Sequence, residues 1–249
     1  MKLGILADIH GNSRALEAVL EDARQRGVEQ FVDLGDVLYG PLEPGRTFEL
    51  LGTVDLIGGV RGNQDRLICD ATAETRRTNA TLDFVIDDLG PEPLDWLRTL
   101  PPTMAIGKDI LLCHGSPTSD TTYLLENVLS GRPFVRPEAE IAGELGDAMR
   151  SSVILCGHTH IPRLVQLRNG PLILNPGSIG LPAYDDDSPV PHFMEAFSPH
   201  ACYAVLEHSS NGWTASFHRV PYDWHAAAAK ARELGRPDWA QGIEFGRME

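Results

Sequence analysis

The chain has 249 residues, 42% hydrophobic and 22% charged, with a formal net charge of −14. That composition suits one large globular domain or two small ones, and its acidity argues against nucleic-acid or anionic-membrane partners, which call for a basic footprint. The first apolar run, Leu3–Ala7, is too short for a signal peptide or a membrane span, which predicts a cytoplasmic protein.

Taken in order, the pattern is strand, helix, strand, helix, strand. Leu3–Ala7 reads as a strand. Asn12 or Ser13 can cap a helix whose apolar positions Ala15, Leu16, Val19, Leu20 and Ala23 fall at helical spacing, ending near Gly27. Phe31–Leu34 is the next strand, Thr47–Leu51 a helix and Val54–Val60 a third strand. This alternation argues for parallel βαβ units. Residues 66–100 look mainly helical, with Pro91 opening the last helix and Pro101-Pro102 ending it. Ile110–Cys113 and Val153–Cys156 are further strands, and Glu138–Arg150 lies between them as a helix. Leu164–Leu167 and Leu172–Leu174 flank "RNG" and form one hairpin; Tyr203–Glu207 and Trp213–Val220 flank "SSNG" and form another. A last helix around Ala226–Leu234 precedes a polar tail. No linker interrupts the chain, so one domain over 1–249 is expected. The four cysteines show no CxxC spacing and read as small hydrophobes in a reducing compartment.

The strand exits share a pattern. They read "ADIHGN", "DLGDVLYG", "GVRGNQD", "LLCHGS" and "LCGHTH". Each opens into Asp, His or Asn beside a glycine. In open α/β sheets, ligands sit outside the carboxyl ends of strands, so Asp8, His10, Asp36, Asn63, His114, His158 and His160 can converge. In an extended chain, side chains two apart share a side, which would let His158 and His160 project together. Imidazoles, carboxylates and an amide in one cluster suit divalent first-row metals better than magnesium or calcium. Seven donors exceed the needs of one tetrahedral ion and suit two ions with a bridging carboxylate. Such a pair would also supply the positive charge that an anionic substrate needs.

The ordered set "DIH", "GD", "GN", "HG" and "GHTH" resembles the calcineurin-like metallophosphoesterase superfamily. It is most like the small bacterial and archaeal phosphodiesterase-like branch, where "GHTHIP" is followed by a hairpin and "NPGS". The resemblance covers residues 1–180, and more loosely "RVPYD" at 219–223. It implies an α/β fold, a four-layer α/β/β/α sandwich of two mixed sheets, with both hairpins adding strands to the second sheet. It further implies that Asp8, His10, Asp36 and His160 hold one metal and that Asp36, Asn63, His114 and His158 hold the other, Asp36 bridging. The expected cofactors are two divalent ions, Mn²⁺ first, with Fe, Co²⁺, Zn²⁺ or Ni²⁺ as alternatives. The expected reaction is hydrolysis of phosphodiester or phosphoric-anhydride bonds in a small phosphorylated substrate, by direct attack of a metal-bound hydroxide. Phosphomonoester or phosphoprotein hydrolysis is the runner-up. A non-catalytic binding scaffold, as in the retromer subunit of this fold, is the alternative of a different class. Oligomeric state is left open.

Where the commonest family motif reads GNHD or GNHE, this chain has "GNQD". Asn63, Gln64 and Asp65 are the catalytic candidates. Gln64 can donate a hydrogen bond but has no proton to give near neutral pH, which predicts a preference for good leaving groups. Asp65 either orients a neighbouring ligand or caps the following helix. Arg61 is a phosphate-contact candidate or a salt-bridge partner, Tyr39 a packed aromatic or a cleft residue, and Asp185–Asp187 a solvated loop. His192, His200, His208, His218 and His225 follow no strand and are not site candidates. Ser116 and Ser178 lack a paired base.

Overall fold

In the computed structural model, which describes residues 2–248, the N-terminal third alternates as the spacing predicts. It runs β1 (Lys2–Leu6), α1 (Ser13–Gln25), β2 (Gln30–Asp33), α2 (Pro44–Leu51) and β3 (Asp55–Gly59). Asn12 caps α1, its side chain accepting from the Ala15 N–H at 3.1 Å. Four helices follow: α3 (Asn63–Cys69), α4 (Ala73–Thr78), α5 (Ala80–Asp88) and α6 (Pro91–Thr99). Next come β4 (Thr103–Ile106), β5 (Ile110–Cys113), the short β6 (Glu126–Asn127) and β7 (Phe134–Val135), α7 (Glu138–Leu145) with a 3-10 turn over Gly146–Arg150, and β8 (Val153–Leu155). The chain ends with β9 (Arg163–Gln166), β10 (Leu172–Asn175), β11 (Ala183–Asp186), β12 (His192–Glu195), β13 (Ala201–Ser209), β14 (Gly212–Val220), α8 (Trp224–Glu233) and α9 (Pro237–Phe245).

Two mixed five-stranded sheets result, ordered β14-β13-β1-β2-β3 and β4-β5-β8-β10-β9. Their facing sides share one dry layer. Leu3, Ile5, Val32 and Leu34 from the first sheet meet Ile110, Leu112, Val153 and Leu155 from the second. Alternation sends Leu6, Phe31 and Val205 to the opposite face, under α1, α5, α6, α8 and α9. On the far side of the second sheet, Ile154, Cys156 and Ile173 pack against Ile141 and Leu145 of α7. Helices, sheet, sheet and helix are thus separated by three apolar layers, the α/β/β/α sandwich expected. Among the described residues no helix is long and apolar enough to cross a membrane. The four cysteines are unpaired, three of them buried.

The structure corrects one expectation of topology. Only the first hairpin, β9–β10, joins the second sheet; the other, β13–β14, extends the first. β13 runs antiparallel to β1, with Leu3 opposite Leu206 and Ile5 opposite Ala204. The reason is burial on both faces: Ala201 through Leu206 are all buried, so this strand must be covered on two sides. Several elements go beyond those the sequence pattern predicts, among them the short hairpins β6–β7 and β11–β12, β4 and α9. β4 pairs with the outer edge of β5, and α9 occupies what reads as a polar tail. Pro237 starts α9, Gly246 closes it in the left-handed conformation, and Trp239, Ala240 and Ile243 are buried.

Candidate metal centre

Asp8, Asp36, Asn63, His114 and His158 lie just beyond the carboxyl ends of β1, β2, β3, β5 and β8. Two groups of donors form there. Asp8, His10 and His160 offer ligand atoms within 4.8 Å of one another, and so do Asp36, His114 and His158. The Asn63 side-chain oxygen lies 3.0 Å from His114 Nε2 and joins the second group. All seven sequence candidates therefore meet at one rim.

The backbone there is unusual. Asp8, His10, Asp36, His158 and His160 all have φ between 53° and 69°; among the described residues, Phe197 is the one other non-glycine with positive φ. The left-handed region costs an L-residue about 1–2 kcal/mol, so these turns persist because the surrounding fold over-determines them. Backbone hydrogen bonds do this: the Asp8 N–H donates to Gly35 O, His10 N–H to Asp36 O, Gly157 N–H to His114 O and Gly180 N–H to Asp8 O. The "GHTH" segment is consequently a tight turn. His158 and His160 do not project together from an extended strand; they belong to different donor groups. Two glycines permit the close approach. A Cβ on Gly62 would stand 2.1 Å from Asp36 Oδ1, and one on Gly35 would stand 2.5 Å from the Gly62 nitrogen.

Ring orientation shows what the groups are built to hold. His10 donates Nδ1–H to Tyr39 O at 3.0 Å, and His160 donates Nδ1–H to Leu181 O at 2.5 Å. Their Nε2 lone pairs then face each other at 3.1 Å, an arrangement that calls for a cation between them. His160 Nε2 is 3.4 Å from Asp8 Oδ1. In the second group, His114 donates Nδ1–H to Leu34 O at 2.7 Å and points Nε2 at Asp36 Oδ2, 3.4 Å away. His158 turns the other way, with Nε2 on Thr121 O at 3.2 Å, which leaves Nδ1 for the site. Two ligands about 2.1 Å from a common ion and 90–110° apart would stand about 3.0–3.4 Å from each other. The four donor separations match that spacing, so the residues fit a pair of divalent ions.

Electrostatics agree. Asp8 and Asp36 are fully buried, which raises a carboxyl, yet the surrounding imidazoles hold both below the usual range. Burial lowers His10 and His158 to about 4, so they are neutral at pH 7 and free to ligate. His114 is the exception: burial opposes its charge, but Asp36 and Asp8 outweigh it and hold the ring up at about 10. A cation at the second group competes with that proton. Titrating metal-free protein with Mn²⁺ at pH 7.5 in weak buffer should therefore release about one proton at that group. Uptake without proton release would contradict the pairing of His114 with Asp36.

Asp65 serves both roles expected for it, orienting a neighbouring ligand and capping the following helix, through its hydrogen bonds. It is wholly buried and does not line the cleft; its carboxylate accepts the N–H groups of Asp36 (2.8 Å), Gly62 (3.0 Å) and Val37 (3.0 Å). It both caps α3 and fixes the Asp36 turn, acting as a positioning residue. Gln64 lines the cleft with Asn63, and its backbone N–H donates to Asp36 Oδ1 at 2.8 Å. Arg61 is half-buried and outside the cleft lining. Ser178 donates its hydroxyl to Asp8 O, and Ser116 to Glu144. Both are structural.

Several site residues carry no local signature in the sequence. The β11–β12 hairpin stands over the donor groups, and its Tyr184 packs edge-on against His160 at 4.6 Å while donating to His158 O at 3.0 Å. Tyr123 stacks on His158 and hydrogen-bonds Tyr184, the buried His192 and Asp186. His192, no candidate by its sequence context, thus belongs to the site's support. Asp185 and Asp186 lie in a strand and line the cleft, correcting the solvated-loop expectation. Tyr39 is packed, 6% exposed, and also lines the cleft. From α9, Trp239 meets His10 edge-on at 5.4 Å.

Comparison with known proteins agrees with this geometry. Residues 1–195 match the family model of the calcineurin-like phosphoesterase superfamily domain. The chain is 30% identical to phosphodiesterase YfcE of Escherichia coli K12 over 73% of this chain and 81% of that protein. It is 25% identical to an uncharacterized protein of Methanocaldococcus jannaschii over 72% of this chain and 70% of that one. Among solved structures, a metallophosphoesterase from Sphaerobacter thermophilus superposes with a TM-score of 0.76 at 27% identity, covering 99% of this chain and 100% of that chain. A hypothetical protein from Pyrococcus horikoshii gives 0.75 at 22% identity over 100% and 99%, a likeness of fold. The chain belongs to the calcineurin-like phosphoesterase superfamily, a family of metal-dependent phosphoester hydrolases.

Proposed function

We propose that the chain is a dinuclear metal-dependent phosphoesterase acting on phosphodiester or phosphoric-anhydride bonds. The observation that carries the proposal is the paired donor set, with Asp8, His10 and His160 on one side, His114, His158 and Asn63 on the other, and Asp36 beside the second group. Two divalent ions bound there would supply an activated water and neutralise charge developing on the phosphoryl oxygens. The chain's own residues bind and orient those ions. The Nδ1–H bonds of His10, His114 and His160 fix each tautomer, and Asp65 fixes the Asp36 turn. The likeness to YfcE favours a phosphodiester.

Gln64 sets the leaving-group preference. Its Oε1 is buried without a hydrogen-bond partner beside the cleft, so the carboxamide has an unused end there. The amide can offer an N–H to a departing oxygen but has no acidic proton to give. General acid catalysis contributes about 10²–10⁴-fold, chiefly for poor leaving groups. With Mn²⁺ present, Gln64→His should accelerate alkyl phosphoester hydrolysis at least about tenfold more than aryl phosphoester hydrolysis. Equal changes on both would contradict the assignment.

The reading is tested by a panel of phosphate mono-, di- and anhydride esters assayed with Mn²⁺, Co²⁺ and Zn²⁺, together with metal content after purification. Diester turnover that a chelator abolishes and metal restores is expected. A protein that neither holds nor gains metal would favour the scaffold.

A further inference from the structure

Two clefts open from the donor groups and share a wall. Asn63, His158 and Asp186 line both. The first runs towards Arg236 and Trp239 of the C-terminal region, the second towards Thr121 and Arg136. A phosphorus atom held at the shared rim therefore has room for a substituent on either side.

The charge of these walls is the second observation. Arg236 in the first cleft directs Nε and Nη2 at Asp238, with contacts of 2.5–3.1 Å, and its Nη1 at Thr81. Arg136 in the second is held by Glu140 at 3.4 Å and by Tyr123 O at 3.1 Å. Each guanidinium is thus matched by a carboxylate. Asp186 accepts from neutral donors, the Tyr123 hydroxyl at 3.3 Å and the Ser188 N–H at 2.9 Å, and Asp185 faces the first cleft beside it. The Tyr123 ring lies against His158 at 5.0 Å, so its hydroxyl ties Asp186 to the same rim as that donor. Outside the donor groups, the two clefts thus carry carboxylates at Asp185 and Asp186 without matching cations among the described residues.

We infer that the site takes a phosphodiester with a single phosphate, its two substituents lying one in each cleft and being uncharged or cationic, and that Asp186 at the shared rim turns away substrates bearing further phosphates. This rests on the phosphoesterase reading and narrows it, setting anhydrides and polyphosphates aside. Neutral, hydroxyl-rich or ammonium-bearing arms fit the acidic walls; a second phosphate does not.

The test uses Mn²⁺-loaded enzyme and a matched series of 4-nitrophenyl phosphodiesters, whose common leaving group keeps the chemistry constant. The second arm ends in a hydroxyl, a quaternary ammonium or a phosphate. The phosphate-ended arm should give kcat/KM at least about tenfold below the hydroxyl-ended arm, a difference that shrinks at high ionic strength. Asp186→Asn should reduce that ratio several-fold. Non-hydrolysable phosphonate analogues with the same arms, titrated calorimetrically, should show the same order in Kd. Equal kcat/KM and Kd across the arms, or a ratio unmoved by both salt and Asp186→Asn, would overturn the inference while leaving the phosphoesterase reading standing. No turnover of any arm would refute the inference, while turnover of anhydrides or monoesters in the wider panel would keep the phosphoesterase reading.

Discussion

Asp36→Asn is expected to lower kcat/KM by at least about 10³-fold, or roughly 4 kcal/mol of transition-state stabilisation, and to reduce bound metal from two ions per chain to one or none. The choice of asparagine matters. Asparagine tolerates the left-handed region, so the φ of 55° at this position survives. Its side-chain oxygen can still accept the Gln64 N–H that Asp36 accepts at 2.8 Å. What is lost is the charge that faces His114 across 3.4 Å. Metal content and kcat/KM measured on the same preparation separate this from unfolding. A fall of less than about tenfold, with two ions retained, would contradict the role given to Asp36.

Asp65→Ala is expected to destabilise the metal-free protein by about 3–6 kcal/mol. It leaves the N–H groups of Asp36, Val37 and Gly62 without their acceptor, and each buried unpaired donor costs about 1–3 kcal/mol before local relaxation. For a chain of this size, at about 2–4 °C per kcal/mol, the loss corresponds to a drop in Tm of roughly 6–24 °C. Burial, with the Asp36 charge behind it, raises the Asp65 carboxyl to about 6, so at neutral pH it remains mostly ionised and accepts all three bonds. Metal affinity should fall as well, since the released donors are those of the Asp36 turn itself. Scanning calorimetry on chelator-treated protein checks the first effect and a Mn²⁺ titration the second. A Tm within about 2 °C of the unsubstituted protein would show that Asp65 does not brace this turn.

Much of the site is legible in the sequence because parallel strands place their exits at one edge, and strands are recognisable as short apolar runs. Asp8, Asp36, Asn63, His114 and His158 can thus be brought together from distant segments with no knowledge of contacts. The left-handed turns at five site positions are not legible, since none of the five is a glycine or asparagine. An extended "GHTH" therefore looks reasonable where the chain bends sharply. Strand pairing is the weaker point. The hairpin of β13 and β14 has the same local pattern whichever sheet receives it, and its placement beside β1, with both faces of β13 covered, is decided by tertiary packing. Asp185 and Asp186 read as loop because charge masks a short strand. The ring of Tyr123, Tyr184 and His192 is assembled from segments with no motif. Helix α9 is a different case, because Pro237 at its first position and Gly246 just past its end are visible boundary signals in the sequence.

Crystals grown with Mn²⁺ and measured at the manganese absorption edge test the central claim most directly. Two anomalous peaks about 3.5–4 Å apart are expected, one bonded to Asp8, His10 and His160, the other to Asn63, His114 and His158, with Asp36 reaching both. A single peak, or a pair that leaves Asp36 unbonded, would contradict the account.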